Sequence, residues 1–153
     1  MLAKEIDMAK TPQGGWKVMP GLVLANCTEP LVAGAPDLRG MWRAVDVQVN
    51  GVEAPKEMPL WSHVERIEQG GNRICIVTSG VIHDMYCDGT LENGVNDVSH
   101  DFVTPIRVAA TYENQVHVLR PEGLSGIEVT RQLDGDAMVW AYGPAIKVRH
   151  ERL

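Results

Sequence analysis

The sequence predicts an all-β protein, an antiparallel up-and-down β-barrel of about 8–10 strands. Three observations carry this. From Leu38 onward short β-rich runs alternate with turn signals, the links between runs are short, and no apolar stripe at helical spacing interrupts them. Short links make neighbouring strands antiparallel, and the missing stripe removes the crossover helices that a parallel sheet needs. An antiparallel sheet of this many strands must hide or close its edges, and a meander of hairpins closes most simply as a barrel. A two-sheet sandwich is the alternative that strand count leaves open.

The runs follow in order. Met41 to Val49 ends at Asn50-Gly51, and Trp61 to Gln69 passes through Gly70-Gly71-Asn72 into Arg73 to Ser79. Val81 to Cys87 ends at Asp88-Gly89, Val95 to Ser99 follows Asn93-Gly94, and Thr104 to Tyr112 turns at Glu113-Asn114 into Gln115 to Arg120. Ile127 to Leu133 turns at Asp134-Gly135 into Met138 to Tyr142, and Gly143-Pro144 precedes Ile146 to Arg152. The dipeptides Asn-Gly and Asp-Gly are the residues that tight hairpins favour. Residues 1–37 differ in texture: Pro12, Gly14, Gly15, Pro20, Gly21, Pro30, Gly34 and Pro36 predict an irregular leader ahead of a single barrel domain, 38–153.

At 153 residues, 44% of them hydrophobic and 22% charged, the chain is long enough for one domain with a sizeable core. Its net charge of −6 excludes nucleic acid as an expected partner, because phosphate binding draws on lysine and arginine. No run approaches the ~20 apolar residues of a membrane span, so no membrane insertion is expected. Val18 to Ala25 is interrupted by Pro20 and Gly21, and Glu5 and Asp7 spoil the basic start of a secretion signal. Leu24-Ala25-Asn26-Cys27 carries a bulky amide where a lipoprotein cleavage site has a small residue. Cys27, Cys75 and Cys87 are odd in number and lack CxxC spacing, which fits a reducing compartment; the cytoplasm is the expected location.

Two segments carry a family resemblance. Gly40-Met41-Trp42 resembles the G-x-W element that opens the first strand of lipocalins and fatty-acid-binding proteins. Glu128 to Val139, continuing to Val148-Arg149-His150-Glu151-Arg152, resembles the last three strands of a fatty-acid-binding protein. The resemblance to this calycin group implies that Trp42 closes the barrel's bottom and that Arg152 packs over it, a guanidinium on an indole face. It also implies that Arg131 points inward, with Met138, Trp140 and Tyr142 on the next strand and Val148, His150 and Arg152 on the last. Two departures bear on function. The inward Arg-x-Tyr pair that grips a carboxylate is replaced by Val148 and His150, and Val52 to Leu60, with Pro55 and Pro59, is too short for a two-helix lid. The likeness is then to lid-free barrels such as lipocalins or the haem-binding nitrobindins.

Alternation sorts the remaining faces, because residues two apart share a side of the sheet. His83, Met85 and Cys87 make one face of their run, and Ile82, Asp84, Tyr86 and Asp88 the other; the first is the better cavity lining. Ala137, Val139 and Ala141 face out although apolar, which calls for cover by the leader or by a contact between copies in a homo-oligomer. In the first strand an inward Trp42 sends Ala44, Asp46 and Gln48 in and Val45, Val47 and Val49 out, a poor pattern unless a bulge reverses it.

The expected function is the binding of a small, mostly apolar ligand, lipid-like or aromatic, whose anionic or carbonyl head group meets Arg131. The lining candidates are Arg131, Met138, Trp140, Tyr142, His150, His83 and Met85, an apolar set with a few polar anchors. An isomerase, cyclase or decarboxylase using Arg131, His150, Tyr142 and Glu65 on a carbonyl compound is the alternative. Haem, with His150 or His117 as axial ligand, is a second; otherwise no cofactor is expected. His63, His83, His100, His117 and His150 match no metal-site spacing, so no metal is expected. The pairs His83-Asp84 and His100-Asp101 project to opposite faces of a strand and need cross-strand partners to act as acid and base. No G-x-S-x-G or phosphate-loop motif occurs.

Overall fold

The structure is a computed structural model that describes residues 1–99 and 105–153. The described residues form eleven strands, β1 (Gly40–Val49), β2 (Val52–Glu53), β3 (Val64–Gly70), β4 (Arg73–Thr78), β5 (Val81–Tyr86), β6 (Val95–Ser99), β7 (Pro105–Glu113), β8 (Val116–Pro121), β9 (Val129–Asp134), β10 (Ala137–Tyr142) and β11 (Ile146–Arg152). All the pairings are antiparallel, in the order β5-β4-β3-β1-β11-β10-β9-β8-β7-β6, with two-residue β2 appended to β1. Apart from β2, consecutive strands are neighbours except β5 and β6, and the pairing of β1 with β11 wraps the meander into a nearly closed barrel. The seam falls between β5 and β6. At one end the Tyr86 amide donates to the Asn93 carbonyl at 2.8 Å and the Gly89 amide to the Ala110 carbonyl at 2.9 Å, stitching it shut.

The strand expected from Trp61 begins only at Val64, and the first strand is irregular. Residues Pro59–Ser62 form a 3-10 turn rather than the opening of a strand, because Pro59 fits the first helical position and withholds the amide that a ladder would need. β1 carries the bulge that its residue pattern demands: Ala44 faces His150 while Asp46 faces Arg149, leaving Val45 as the extra residue. The parity reverses there, so Trp42, Ala44 and Val47 all turn inward and Asp46 is spared burial in the core.

The interior is packed at one end. Leu38, Trp42, Ile67, Ile74, Met85, Ala110 and Met138 form a contiguous buried cluster where β1 starts and β11 ends. The Trp42 indole donates to the Leu38 carbonyl at 2.8 Å, and the Arg152 guanidinium lies 4.3 Å above its ring while bonding the Arg39 carbonyl. At the other end Val47 and Val148 are covered by Met58, Leu60 and Trp61 from the segment after β2.

The leader lies against the outside of β3, β4 and β5, and not over Val139 and Ala141, which stay half-buried. Its side chains Ile6, Trp16, Met19 and Val23 pack on Cys75, Val77 and Ile82. Its backbone is held by charged side chains of the sheet. Arg73, fully buried, donates to both Asp84 oxygens and to the carbonyls of Ala3, Ile6 and Asp7 at 2.6–2.9 Å, using all five of its N–H groups. Glu68 accepts the Val23 and Leu24 amides at 3.0 and 2.8 Å, and Arg66 donates to Pro20 and Gly21. The leader also covers the free edge of β5. Thr11 Oγ1 exchanges hydrogen bonds with the Ile82 backbone, and the Trp16 indole donates to the Val81 carbonyl, which satisfies groups that would otherwise invite another strand.

Breaking a buried ion pair on one side leaves an uncompensated charge, at a cost of about 3–5 kcal/mol. Arg73→Met is therefore expected to lower urea stability by about that amount and to expose the leader to limited proteolysis. A wild-type midpoint and proteolysis pattern in the variant would show that Arg73 does not hold the leader.

Candidate functional site

A salt bridge crosses the barrel interior. Arg131 on β9 and Glu65 on β3 stand on opposite walls, four strands apart in the sheet order, and meet in the middle: Nε to Oε2 is 2.9 Å and Nη2 to Oε1 is 3.3 Å. Glu65 is fully buried and Arg131 is 7% exposed, so neither charge is left to water. Alternation on β9 turns Arg131 inward beside Val129, and alternation on β3 turns Glu65 inward beside Ile67. Burial pushes the Glu65 carboxyl up, but the Arg131 charge and the hydrogen bonds from His63 and Arg131 outweigh it and hold the group below the usual carboxylate range.

Three histidines surround this pair. His63 Nε2 sits 2.8 Å from Glu65 Oε1, and its ring meets His150 edge-on at 5.6 Å between centroids. His150 is 1% exposed, and neither of its ring nitrogens has a hydrogen-bond partner. His117, opposite Arg131 on β8 and beside Tyr112, is fully buried and equally without partners. Burial, with the Arg131 charge next to it, lowers the His117 pKa to about 3; burial lowers that of His150 to about 4. Both are neutral in the folded protein at neutral pH.

Two cavities adjoin the salt bridge. The larger, about 360 Å³, is walled by apolar side chains including Ile76, Ile106, Leu119 and Val129, with Thr78, His83, Arg131, Trp140 and Tyr142. The smaller, about 80 Å³, lies between Leu60, His63, Arg131, Trp140, Val148 and His150. Arg131 and Trp140 border both. A third concavity is a surface groove of about 500 Å³ at the β5–β6 seam, between Met8–Thr11 and Glu92–Asn96.

Of the residues singled out from sequence, Arg131, Trp140, Tyr142 and His83 line the larger cavity and His150 the smaller. Met85 and Met138 point inward but belong to the packed end and border neither space. His117 borders neither. Arg131, Glu65 and His150 converge, whereas Tyr142 stands apart with Trp140, 6.4 Å between their rings. His83 and Asp84 do diverge: Asp84 faces out to Arg73. His100 and Asp101 lie outside the described residues. From sequence His63 stood only among the five histidines that match no metal-site spacing, and Thr78 was not named; the further signal available was that His63 immediately precedes a strand carrying an inward Glu at alternate spacing.

No protein-family model matches the chain, and no curated protein matches it. Among the described residues no helix is long and apolar enough to cross a membrane.

A histidine held neutral by burial destabilises the fold on acidification, because the unfolded chain takes up a proton below pH 6.5 and the native state does not until about pH 3. Full stability is present above pH 6.5 and is lost progressively as pH falls toward the folded value. Between about pH 7.5 and about pH 5 the His117 contribution to this loss is about 2 kcal/mol. His117→Leu is expected to lose about that much less across the same interval in urea denaturation; an unchanged loss would place the acid sensitivity elsewhere.

Proposed function

We propose that the barrel binds a small, mostly apolar molecule with one neutral oxygen, in the larger cavity. The observation that carries this reading is the cavity of about 360 Å³ with Arg131 at its inner end. Small-molecule sites combine an apolar wall with a few placed polar groups, and this one does so. It also lies within a barrel of the kind that the G-x-W element and the last three strands resemble, in which ligands are held in the lumen.

The charge of the head group follows from Glu65. Two of the Arg131 nitrogens are engaged by that carboxylate, so the pair is neutral as a unit. A ligand carboxylate would add a net negative charge to a buried site, which is costly without a further cation. A carbonyl or hydroxyl oxygen needs only one donor, and Arg131 Nη1 makes no hydrogen bond among the described residues. The lipid-like or aromatic ligand expected from sequence is thereby narrowed to a ketone, aldehyde, ester or alcohol. Trp140 and Tyr142 supply flat walls for a ring or an extended chain.

The test is saturation binding of a neutral naphthylamine probe, followed by displacement with medium-chain ketones and with carboxylates of equal length. Wild-type protein is expected to bind one probe per chain and to release it to the ketone first. Leu119→Trp, which fills the cavity, is expected to weaken probe binding at least about tenfold, or ~1.4 kcal/mol, with little change in urea midpoint. Equal binding by both proteins, or preferential displacement by the carboxylate, would overturn the proposal.

A further inference from the structure

We infer that His63, Glu65 and His150 form a binding site for one divalent transition-metal ion, opening on the smaller chamber. One ligand atom from each residue lies within 4.8 Å of the other two. Two imidazoles and one carboxylate are a donor set that holds zinc with a free position, or ferrous iron and cobalt with several.

The orphaned state of His150 is the second observation. A buried polar group without a partner costs about 1–3 kcal/mol, and His150 has two such nitrogens, 1% exposed, at the point where the other donors converge. Of the residues that line the chamber with it, Leu60, Trp140 and Val148 offer no side-chain acceptor. An ion in the chamber would satisfy one nitrogen directly.

The geometry needs little adjustment. Ligands about 2.0–2.2 Å from a shared metal stand about 3.0–3.5 Å from each other. His63 Nε2 and Glu65 Oε1 are 2.8 Å apart, so the ion takes the place of the proton between them with a slight widening. The remaining distance, up to 4.8 Å, closes by about 1–2 Å on rotation of the His150 ring. Arg131 keeps Glu65 Oε2 and fixes the carboxylate plane, the part that an outer hydrogen bond plays for a ligating carboxylate. The chamber of about 80 Å³ leaves room for about two waters on the open positions, at about 30 Å³ each. Charge sets the ligand class for those positions. Glu65 and Arg131 cancel, so the bound ion brings two uncompensated positive charges into a buried site, which favours hydroxide or an anionic oxygen ligand on the metal. Because the ion sits on the carboxylate that neutralises Arg131, the neutral head group proposed for the larger cavity is that of the metal-free protein.

Metal-stripped protein titrated with Co²⁺ is expected to develop a visible d–d absorption band that saturates at one ion per chain and is displaced by Zn²⁺. His150→Leu is expected to weaken Co²⁺ binding at least 100-fold. The wild-type protein provides a second reading that does not depend on how the variant folds: Zn²⁺ is expected to move the ring ¹⁵N resonances of His63 and His150 and to leave those of His117 in place. Absence of a saturating band, with the ring resonances unmoved, would mean that the chamber holds water only and would overturn the inference. So would wild-type affinity in a folded His150→Leu.

Discussion

The architecture of the interior turns on one ion pair that spans it. Glu65 and Arg131 come from walls four strands apart and meet where neither reaches solvent. Two charges in such a place are stable only together, because either one alone would retain its full desolvation cost. Their bond therefore acts as a crossbeam. On one side lies the larger hollow, on the other the small histidine-lined chamber, and Arg131 with Trp140 forms the partition. Below the beam the interior is filled by Trp42, Leu38, Ile67, Ile74, Met85 and Met138, and the larger cavity lies toward the end where β9 begins and β10 ends.

The outer wall uses charge for another purpose. Arg66, Glu68, Arg73 and Asp84 lie on the outward face of β3–β5, where alternation assigns them to water, yet all four are buried. Their partners are backbone groups of the leader, whose many prolines and glycines keep it out of regular structure and leave carbonyls and amides free to be bonded. A leader that cannot make its own ladder is thus fastened by the sheet, and in return it covers the unpaired edge of β5. The same strand carries His83 to the lumen and Asp84 to this outer network, so the lining of the cavity and the anchoring of the leader are coupled through one segment of backbone.

The strands were legible in sequence because turn dipeptides and β-rich runs are local signals, and the barrel followed from the absence of helices. The first and last strands pair as the G-x-W element and the terminal Arg152 suggest, with Arg152 over Trp42. The inward direction of Arg131 came from the resemblance of the last three strands, and parity then assigned its neighbours. Its partner was not: Glu65 lies 66 residues away, and nothing in either segment names the other. Burial of Arg73 was illegible for a different reason, since alternation cannot distinguish an acceptor supplied by water from one supplied by a leader's backbone. Met85 and Met138 illustrate the limit of parity, which tells the inner face from the outer but not a packed depth from a hollow one. The bulge at Val45 was visible only as a misfit of pattern that the fold had to resolve.

We propose that the space above the Glu65–Arg131 beam receives a neutral, mostly apolar molecule. Methyl-labelled NMR with a medium-chain ketone tests it directly. Saturable shifts confined to Ile76, Ile106, Leu119 and Val129, with intermolecular NOEs from those methyls to the ketone chain, are predicted. Shifts scattered over the outer surface, or none at these four residues at millimolar ketone, would contradict it.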